Sequence, residues 1–323
     1  MIRDKKILIT GGAGFVGAIL IKNLIKDNQI TVVDNFSRDA LSQSAAFSHP
    51  NLRIENLDVT LSSSFQHLDT DFEIIIHLAA IAGIDAVIAD PIRTMEVNFL
   101  GAMHVLKFAA TNTRVSRVVI FSTSEIYGSD AFNKHESDNA VTGTAGEARW
   151  SYAVSKLSSE HLAMAYFHKK QLPIVIIRPF NIYGPGQVGE GAIHKFITQA
   201  VSNETISIDG NGSQVRAWCY VDDFIQGVLL SMTENSAVGE AFNIGNSETA
   251  LSILDLAKLV IRKVNSTSQI VHEPALSADI AIRVPTTLKA TELLGFTAKI
   301  GLEEGILETA EWVKGKLDDN RNH

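Results

Sequence analysis

The stretch from Lys6 to Asp34 constrains this chain most. A strand pattern, Lys6-Ile7-Leu8-Ile9-Thr10, runs into Gly11-Gly12-Ala13-Gly14-Phe15-Val16-Gly17; a helical pattern (Phe15, Ile19, Leu20, Leu24) follows, then a second strand pattern ending Val32-Val33-Asp34. Gly12, Gly14 and Gly17 stand at the G-x-G-x-x-G spacing. Between strand and helix, the first glycine permits a tight turn, the second lets backbone approach a pyrophosphate, and the third lets helix pack closely on strand. The helix N-terminus offers unpaired N–H groups and the positive end of its dipole to phosphate. Asp34 lies at about the 20-residue remove from which an acid reaches the ribose hydroxyls of a dinucleotide. That carboxylate favours NAD, because the 2′-phosphate of NADP would meet a like charge. Gly11, Gly14, Phe15, Val16, Gly17, Asp34 and Asn35 are the cofactor contacts expected here.

Apolar runs of four or five residues alternate with helix-length segments through the first half, the pattern of βαβ units and a parallel sheet. Strands are expected at 6–10, 29–33, 52–55, 73–77, 117–121 and 173–177. Runs such as Ile74-Ile75-Ile76 and Val118-Val119-Ile120-Phe121 suit strands covered on both faces. The fold class this predicts is α/β, a doubly wound parallel sheet. Residues 1–178 would form the dinucleotide-binding domain and residues 179–323 a smaller substrate lobe, with some segments returning to the first domain. Right-handed crossovers line up the strand C-termini along one edge, where ligands bind.

Charge narrows the partners. With 28 Lys and Arg against 36 Asp and Glu, the formal net charge of -8 argues against nucleic acid or an anionic membrane surface. A single cysteine, Cys219, excludes an internal disulfide and a multi-cysteine metal site, which fits a reducing cytoplasm; no metal is expected. No apolar run approaches the roughly 18 residues that span a bilayer. The chain enters a strand almost at once, leaving no room for a signal peptide.

Polar and small residues punctuate the ligand edge. After the third strand, Asp58 is placed to hydrogen-bond an adenine amino group with Val59 beside the ring, or else to make an Asx turn. After the fourth, Leu78-Ala79-Ala80 is small enough to admit the cofactor's backbone, and His77 reads as an interior histidine. Asn98, early in a helical pattern, either orders a proton relay or bonds backbone. The fifth strand ends in Ser122-Thr123-Ser124-Glu125-Ile126-Tyr127-Gly128; three hydroxyls and a carboxylate are costly in a core and belong in a turn or a site. The segment from Ser129 to Arg149 lacks periodicity and reads as a loop bordering substrate. In the helical run Trp150-Ser-Tyr-Ala-Val-Ser-Lys156, Tyr152 and Lys156 are i and i+4 and share one face.

Four segments together resemble the extended short-chain dehydrogenases/reductases that modify nucleotide sugars: Thr10-Gly-Gly-Ala-Gly-Phe-Val-Gly17, Ser122-Thr-Ser-Glu-Ile-Tyr-Gly128, Tyr152-Ala-Val-Ser-Lys156 and Arg178-Pro-Phe-Asn-Ile-Tyr-Gly-Pro185. The resemblance covers nearly the whole chain. It implies Thr123, Ser124, Glu125, Tyr152 and Lys156 as catalytic residues, with Ser122, Tyr152, Lys156 and Pro179 adding to the NAD site. It also implies substrate contacts from Asn181, from Arg216 and from Arg283 in Arg283-Val-Pro285. The expected chemistry is transient oxidation at sugar C4 without net redox, with Tyr152 taking the hydroxyl proton. A phenol is a poor base at pH 7, with a reference pKa near 10, and a nearby ammonium and oxidised nicotinamide both favour the phenolate.

A C4 ketone can then be reduced from its other face, lose water across C5 and C6, or lose CO₂ from a C6 carboxylate. Enzymes resembling this chain carry a small or hydroxyl residue at the place of Glu125 when they epimerise, and Glu when they dehydrate or decarboxylate. Thr123-Ser124-Glu125 departs from the Thr-Asp-Glu of dTDP-glucose dehydratases and looks like UDP-glucuronate decarboxylases and GDP-mannose dehydratases. The latter tend towards NADP, which Asp34 disfavours. The expectation is therefore a UDP-glucuronate decarboxylase-like enzyme acting on a UDP-sugar, with UDP-hexose 4-epimerase or NDP-sugar 4,6-dehydratase as alternatives. A non-catalytic NAD sensor is the reading of a different class, against which the retained Thr123, Tyr152 and Lys156 stand. A homodimer pairing helices around 99–110 and 152–166 is also expected.

Overall fold

A computed structural model describes residues 2–189, 191–275 and 280–321. Strands β1 (Lys6–Thr10), β2 (Gln29–Asp34), β3 (Leu52–Asn56), β4 (Ile74–His77), β5 (Arg117–Phe121) and β7 (Ile174–Pro179) match the six expected ones within two residues; β6 (Asp130–Lys134) belongs elsewhere. With Glu240–Ile244 the six make a seven-stranded parallel sheet, ordered Glu240–Ile244, β7, β5, β4, β1, β2, β3. The strand order reverses between β1 and β4, and that switch point opens the crevice in which a doubly wound sheet binds ligands.

Helices α1 (Phe15–Leu24), α4 (Gly101–Ala109), α5 (Trp150–Lys170) and α7 (Val221–Thr233) supply most of the cover; α2 (Ile84–Ala89) and α3 (Pro91–Met95) precede α4, and α6 (Ala192–Val201) belongs to the smaller lobe. Ile7, Ile9, Val32, Ile74, Ile76, Val119 and Phe121 pack on one face with Ile21 of α1 and Phe224 of α7. The alternate residues Leu8, Val33, Ile75, Val118 and Ile120 pack on the other, with Val105 and Leu106 of α4 and Ala163 of α5. Successive side chains of a strand point to opposite faces, so a sheet covered twice requires unbroken apolar runs. Each fully buried Ile or Val contributes about 1.5–3 kcal/mol.

In the smaller lobe, α6, α8 (Ile253–Val264) and the terminal helix Leu302–Arg321 close around Ile206, Ile208, Trp218 and Tyr220. The loop expected from Ser129 to Arg149 contains β6, which pairs in parallel with Ile282–Pro285; Val215–Arg216 and Leu251–Ser252 complete that four-stranded sheet. The Gly-rich segment 206–216 links two sheets. Ile206–Asp209 pairs with Ile270–Glu273 while Val215–Arg216 pairs with Ile282–Arg283, and Gly210 and Gly212, at φ 67° and 73°, carry the chain between two sheets. Helix α8 begins at Ile253, where the Ser252 hydroxyl caps it by accepting Asp255 N–H at 3.1 Å. The last helix runs to Arg321.

Candidate active site

The glycine turn is shaped by its contact with the end of β4. Leu78 and Ala79 both donate their N–H to the Thr10 carbonyl, at 2.8 and 3.0 Å. A Cβ on Gly11 would stand 2.3 Å from Ala79 N, and Gly11 has φ 76°. Gly11, not Gly12, therefore holds the left-handed position. Gly12 instead lies against Val32, where a Cβ would come within 2.9 Å of both methyls. A Cβ on Gly17 would sit 2.7 Å from Gly11 O and Gly12 Cα, so the helix can lie on this turn only without a side chain there. Over Gly14 the nearest atom would be Gly11 O at 3.5 Å, which leaves that face clear for a phosphate. No side chain caps α1, so its first N–H groups remain available to an anion.

Asp34 ends β2 beside this turn, accepting Ala13 N–H at 2.9 Å on one oxygen and Phe36 N–H at 2.8 Å on the other. Burial raises its pKa, and the backbone donors oppose that rise. Each oxygen keeps a lone pair for a hydroxyl. Asn35 is exposed and accepts Ser37 N–H at 3.1 Å. Val16 is half-buried against the α1 side of the core, and Phe15 lines a cavity of about 240 Å³ with Ile19, Gln43, Pro185 and Trp312 on the outer side of α1. Asp58 makes an Asx turn with Thr60 N–H (2.8 Å) and pairs with Arg93 of α3 (2.6 Å). Burial opposes its charge, but Thr60 and Arg93 outweigh burial and hold the pKa below the usual range. Val59 packs against Gly101. Asn98 lies buried in a π-helical turn, Glu96–Leu100; it accepts Ile81 N–H at 2.8 Å and donates to Ile81 O and Ser155 Oγ, each at 3.1 Å. It thus fastens the chain leaving Ala80 to α5. His77 is interior, its Nδ1 2.7 Å from Thr10 Oγ1, and burial pushes its pKa down to about 3.

At the C-terminal end of β5, Ser122 is buried and its hydroxyl lacks a hydrogen-bond partner among the described residues. Thr123 caps the 3₁₀ turn Ser124–Tyr127, its hydroxyl accepting Glu125 N–H at 3.1 Å; Ser124 beside it is buried. Tyr152, in the first turn of α5, lies beside Thr123. Burial raises its phenol well above the ordinary value and Glu125 adds to the rise, while Thr123 and Arg283 oppose it. Lys156 is buried one turn further on and donates to the Phe121 carbonyl at 2.6 Å. Burial pushes its pKa down to about 8, against the pull of Glu160.

Strand pairing with β6 brings Ile282–Pro285 over this edge. Arg283 Nη1 reaches Glu125 Oε1 at 3.3 Å, with side chains 8% and 16% exposed. Its Nε and Nη2 have no hydrogen-bond partner among the described residues. Burial lowers its pKa and Glu125 opposes this, whereas the charge of nearby Arg149 adds to the lowering. Arg149 immediately precedes α5 and is buried, with Nε and Nη1 likewise unpartnered. In the sequence it closes an aperiodic polar segment, and nothing there separates it from a solvated arginine.

The remaining expected contacts lie nearby in the fold. Arg216 and Arg283 are direct partners in register, and Arg216 Nη1 donates to Val215 O at 3.0 Å. Asn181, at φ 44°, uses its amide on Ala217 O at 2.8 Å, joining Ile182–Tyr183 to the segment before Cys219–Tyr220. Pro179 ends β7. One element of the resemblance proves to be a fastener: Arg178 binds Glu160 of α5 through two bonds (2.9 and 2.7 Å), Tyr127 Oη at 2.6 Å and Glu136 O at 3.0 Å.

The structure thus groups Thr123, Ser124, Glu125, Tyr152, Lys156 and Arg283 at the end of β5, across the switch point from the glycine turn and Asp34. The clear face over Gly14, the uncapped helix, the acid at the end of β2 and the Ser122 hydroxyl without a partner among the described residues fit NAD. The chain belongs to the NAD dependent epimerase/dehydratase family, whose model matches residues 7–245. It is accordingly an NAD-dependent enzyme of nucleotide sugars. It is similar to the UDP-N-acetyl-alpha-D-glucosaminuronate decarboxylase of Bacillus cytotoxicus, 33% identical over 320 residues that cover 96% of this chain and 98% of that protein. It is similar to UDP-glucuronic acid decarboxylase 1 of Danio rerio, 33% identical over 99% of this chain and 75% of the relative. Among solved structures it resembles the UDP-glucuronic acid 4-epimerase of Bacillus cereus in complex with UDP-glucuronic acid and NAD: TM-score 0.85, 26% identity, 96% of this chain and 99% of that one. Among the described residues, no helix is long and apolar enough to cross a membrane, and no group of His, Cys, Asp or Glu could hold a metal.

Proposed function

We propose that this enzyme decarboxylates a UDP-uronic acid, with Thr123, Ser124, Glu125, Tyr152 and Lys156 as catalytic residues. The observation that carries the reading is the buried Glu125–Arg283 pair beside Tyr152, a carboxylate and a half-satisfied guanidinium where the sugar must react. Both decarboxylase relatives are named for uronic acids, which supports it.

Bound NAD supplies a two-electron acceptor that takes hydride from C4 and later returns it. Tyr152 takes the proton of the C4 hydroxyl while Thr123 holds the same oxygen. Lys156, with a pKa of about 8, is mostly protonated at pH 7 and favours the phenolate. The resulting ketone makes the C6 carboxylate a β-keto acid. The C5–C6 bond breaks, CO₂ departs, and the electron pair moves through C5 and C4 onto O4, where Thr123 and Tyr152 stabilise it. Glu125 stands beside C5 and C6 to guide the proton that C5 regains, and Tyr152 finally returns a proton to O4. In sum, uronate and one proton give pentose and CO₂.

Residues 1–178 serve as the NAD-binding unit and 179–323 as the sugar-nucleotide lobe, where Asn181, Arg216 and Arg283 contact substrate; Glu240–Ile244 is a segment returned to the sheet. The cofactor set comprises Gly11, Gly14, Phe15, Val16, Gly17, Asp34, Asn35, Asp58, Val59, Leu78, Ala79, Ala80, Asn98, Ser122 and Pro179. A homodimer through α4 and α5, in the cytoplasm, belongs to the reading. Ile92 of α3 is 73% exposed and α3 packs on α5, so an isologous pairing of these helices would cover it. Sedimentation as a monomer at micromolar concentration would reject the dimer. The reaction itself is tested by incubation with UDP-glucuronate, UDP-N-acetylglucosaminuronate, UDP-glucose, dTDP-glucose and GDP-mannose. Product lighter by CO₂ is expected from a uronate, and unchanged mass or loss of water would overturn the assignment.

A further inference from the structure

Buried polar groups nearly always find partners, so those that do not demand an explanation. Around Tyr152 four guanidinium nitrogens lack one among the described residues: Nε and Nη1 of Arg149, Nε and Nη2 of Arg283. The two residues are 4% and 7% exposed. Glu125 is the carboxylate beside Arg283, and its bond goes to Nη1 of that arginine. Two buried like charges near each other, one of them without a counter-ion among the described residues, are costly unless an anion joins them. Arg117 is also buried with an unpartnered nitrogen, but it begins β5 at the opposite edge of the sheet and already bonds the Met232 carbonyl, with the Glu234 charge nearby.

Position says which anion the two arginines take. Arg149 lies three residues before Tyr152, and Arg283 contacts Glu125 beside the same phenol. Both therefore belong to the end of β5 where the sugar is proposed to react, and not to the glycine turn expected to hold the dinucleotide phosphates. A planar guanidinium fork matches a planar carboxylate through paired, charge-assisted hydrogen bonds. We propose that Arg149 is a specificity-determining residue, which together with Arg283 cradles the C6 carboxylate of the sugar and makes the site select uronates over neutral hexoses. The proposal rests on the uronate reading of the site and adds to it the residue that enforces the choice. Arg149 holds the group that leaves as CO₂, so it acts on substrate binding more than on bond cleavage.

Equilibrium binding of UDP-glucuronate, UDP-glucose and UDP to Tyr152→Phe protein, which should not turn over, provides the test, repeated with Arg149→Gln or Arg149→Lys added. The expected preference for UDP-glucuronate over UDP-glucose falls by about 10- to 100-fold with Arg149→Gln, as the loss of a charged hydrogen bond predicts. Arg149→Lys restores part of it, and UDP affinity stays within a few-fold. Three results would overturn the proposal: an unchanged preference in Arg149→Gln, an equal loss for all three ligands, which marks a phosphate contact, or no preference in the Tyr152→Phe parent. Release of CO₂ by the wild-type enzyme is scored separately. A uronate preference lost with Arg149→Gln but without CO₂ release would sink decarboxylation and leave the carboxylate cradle standing. CO₂ release with the preference intact in Arg149→Gln would do the reverse.

Discussion

Replacing Lys156 by methionine should abolish turnover and yet leave the protein no less stable near neutral pH. The ammonium is buried and donates to Phe121 O at 2.6 Å; burial pushes its pKa from 10.5 to about 8, with Glu160 opposing the fall. At about 1.4 kcal/mol for each tenfold in proton affinity, keeping Lys156 charged in the fold costs about 3 kcal/mol at pH 7. Methionine removes that cost but strips a buried carbonyl of its donor, a loss of about 1–3 kcal/mol. Near pH 7 the variant should therefore equal the wild type or exceed it by up to about 2 kcal/mol. The pH dependence is more telling. Between about pH 8 and 10.5 the unfolded chain holds a proton that the folded chain has released, so wild-type stability rises with pH across that window. Lys156→Met does not share the rise, and from pH 7 to about pH 10 the difference should move by about 2 kcal/mol in favour of the wild type. Urea unfolding of cofactor-free protein at stepped pH measures it. A difference that stays flat over that range would refute the claim that the fold holds Lys156 charged against its burial.

Tyr152→Phe removes the proposed proton acceptor and should lower turnover by at least about 10²- to 10⁴-fold while NAD remains bound, as read from cofactor absorbance; activity near the wild-type level would remove Tyr152 from its role. Gly17→Ala places a methyl 2.7 Å from the backbone of Gly11 and Gly12, so the turn must shift. NAD affinity should drop at least about tenfold and stability by about 1–3 kcal/mol, and a titration indistinguishable from wild type would show that this packing does not hold the turn.

What could be read in the chain follows from where the physical cause lies. β1, β4 and β5 are legible because a strand covered on both faces must be apolar throughout, and Ile74-Ile75-Ile76 says so locally. β6 is not legible, because of its residues Ala131 alone is buried while Asp130 and Phe132 are exposed, and its partner Ile282–Pro285 lies about 150 residues away. The glycine spacing announces the turn, yet Leu78 and Ala79 decide that Gly11 takes the left-handed position, and they arrive from another strand. Arg283 was found through the likeness of its short motif. Arg149 was not, because an orphaned guanidinium is a property of packing.

The same distinction sorts the arginines by task and bears on the fate of the ketone. Arg178 belongs to a motif that looks functional in the sequence, but each of its nitrogens is already bonded to Glu160, Tyr127 or Glu136. Burial opposes its charge and these partners outweigh burial, so its pKa stands above the ordinary value. It pins the middle of α5 to β7, and Tyr152 and Lys156 are carried on a helix with little freedom to move. With the phenol fixed, epimerisation would require the sugar to turn and offer its other face. A carboxylate held by Arg149 and Arg283 resists that turn, since each charge-assisted hydrogen bond that must break costs about 1.5–3 kcal/mol. Decarboxylation needs no rotation, and the departure of CO₂ dissolves the grip. A fixed phenol and two arginines with guanidinium nitrogens left unpartnered among the described residues therefore favour loss of the carboxylate over inversion at C4.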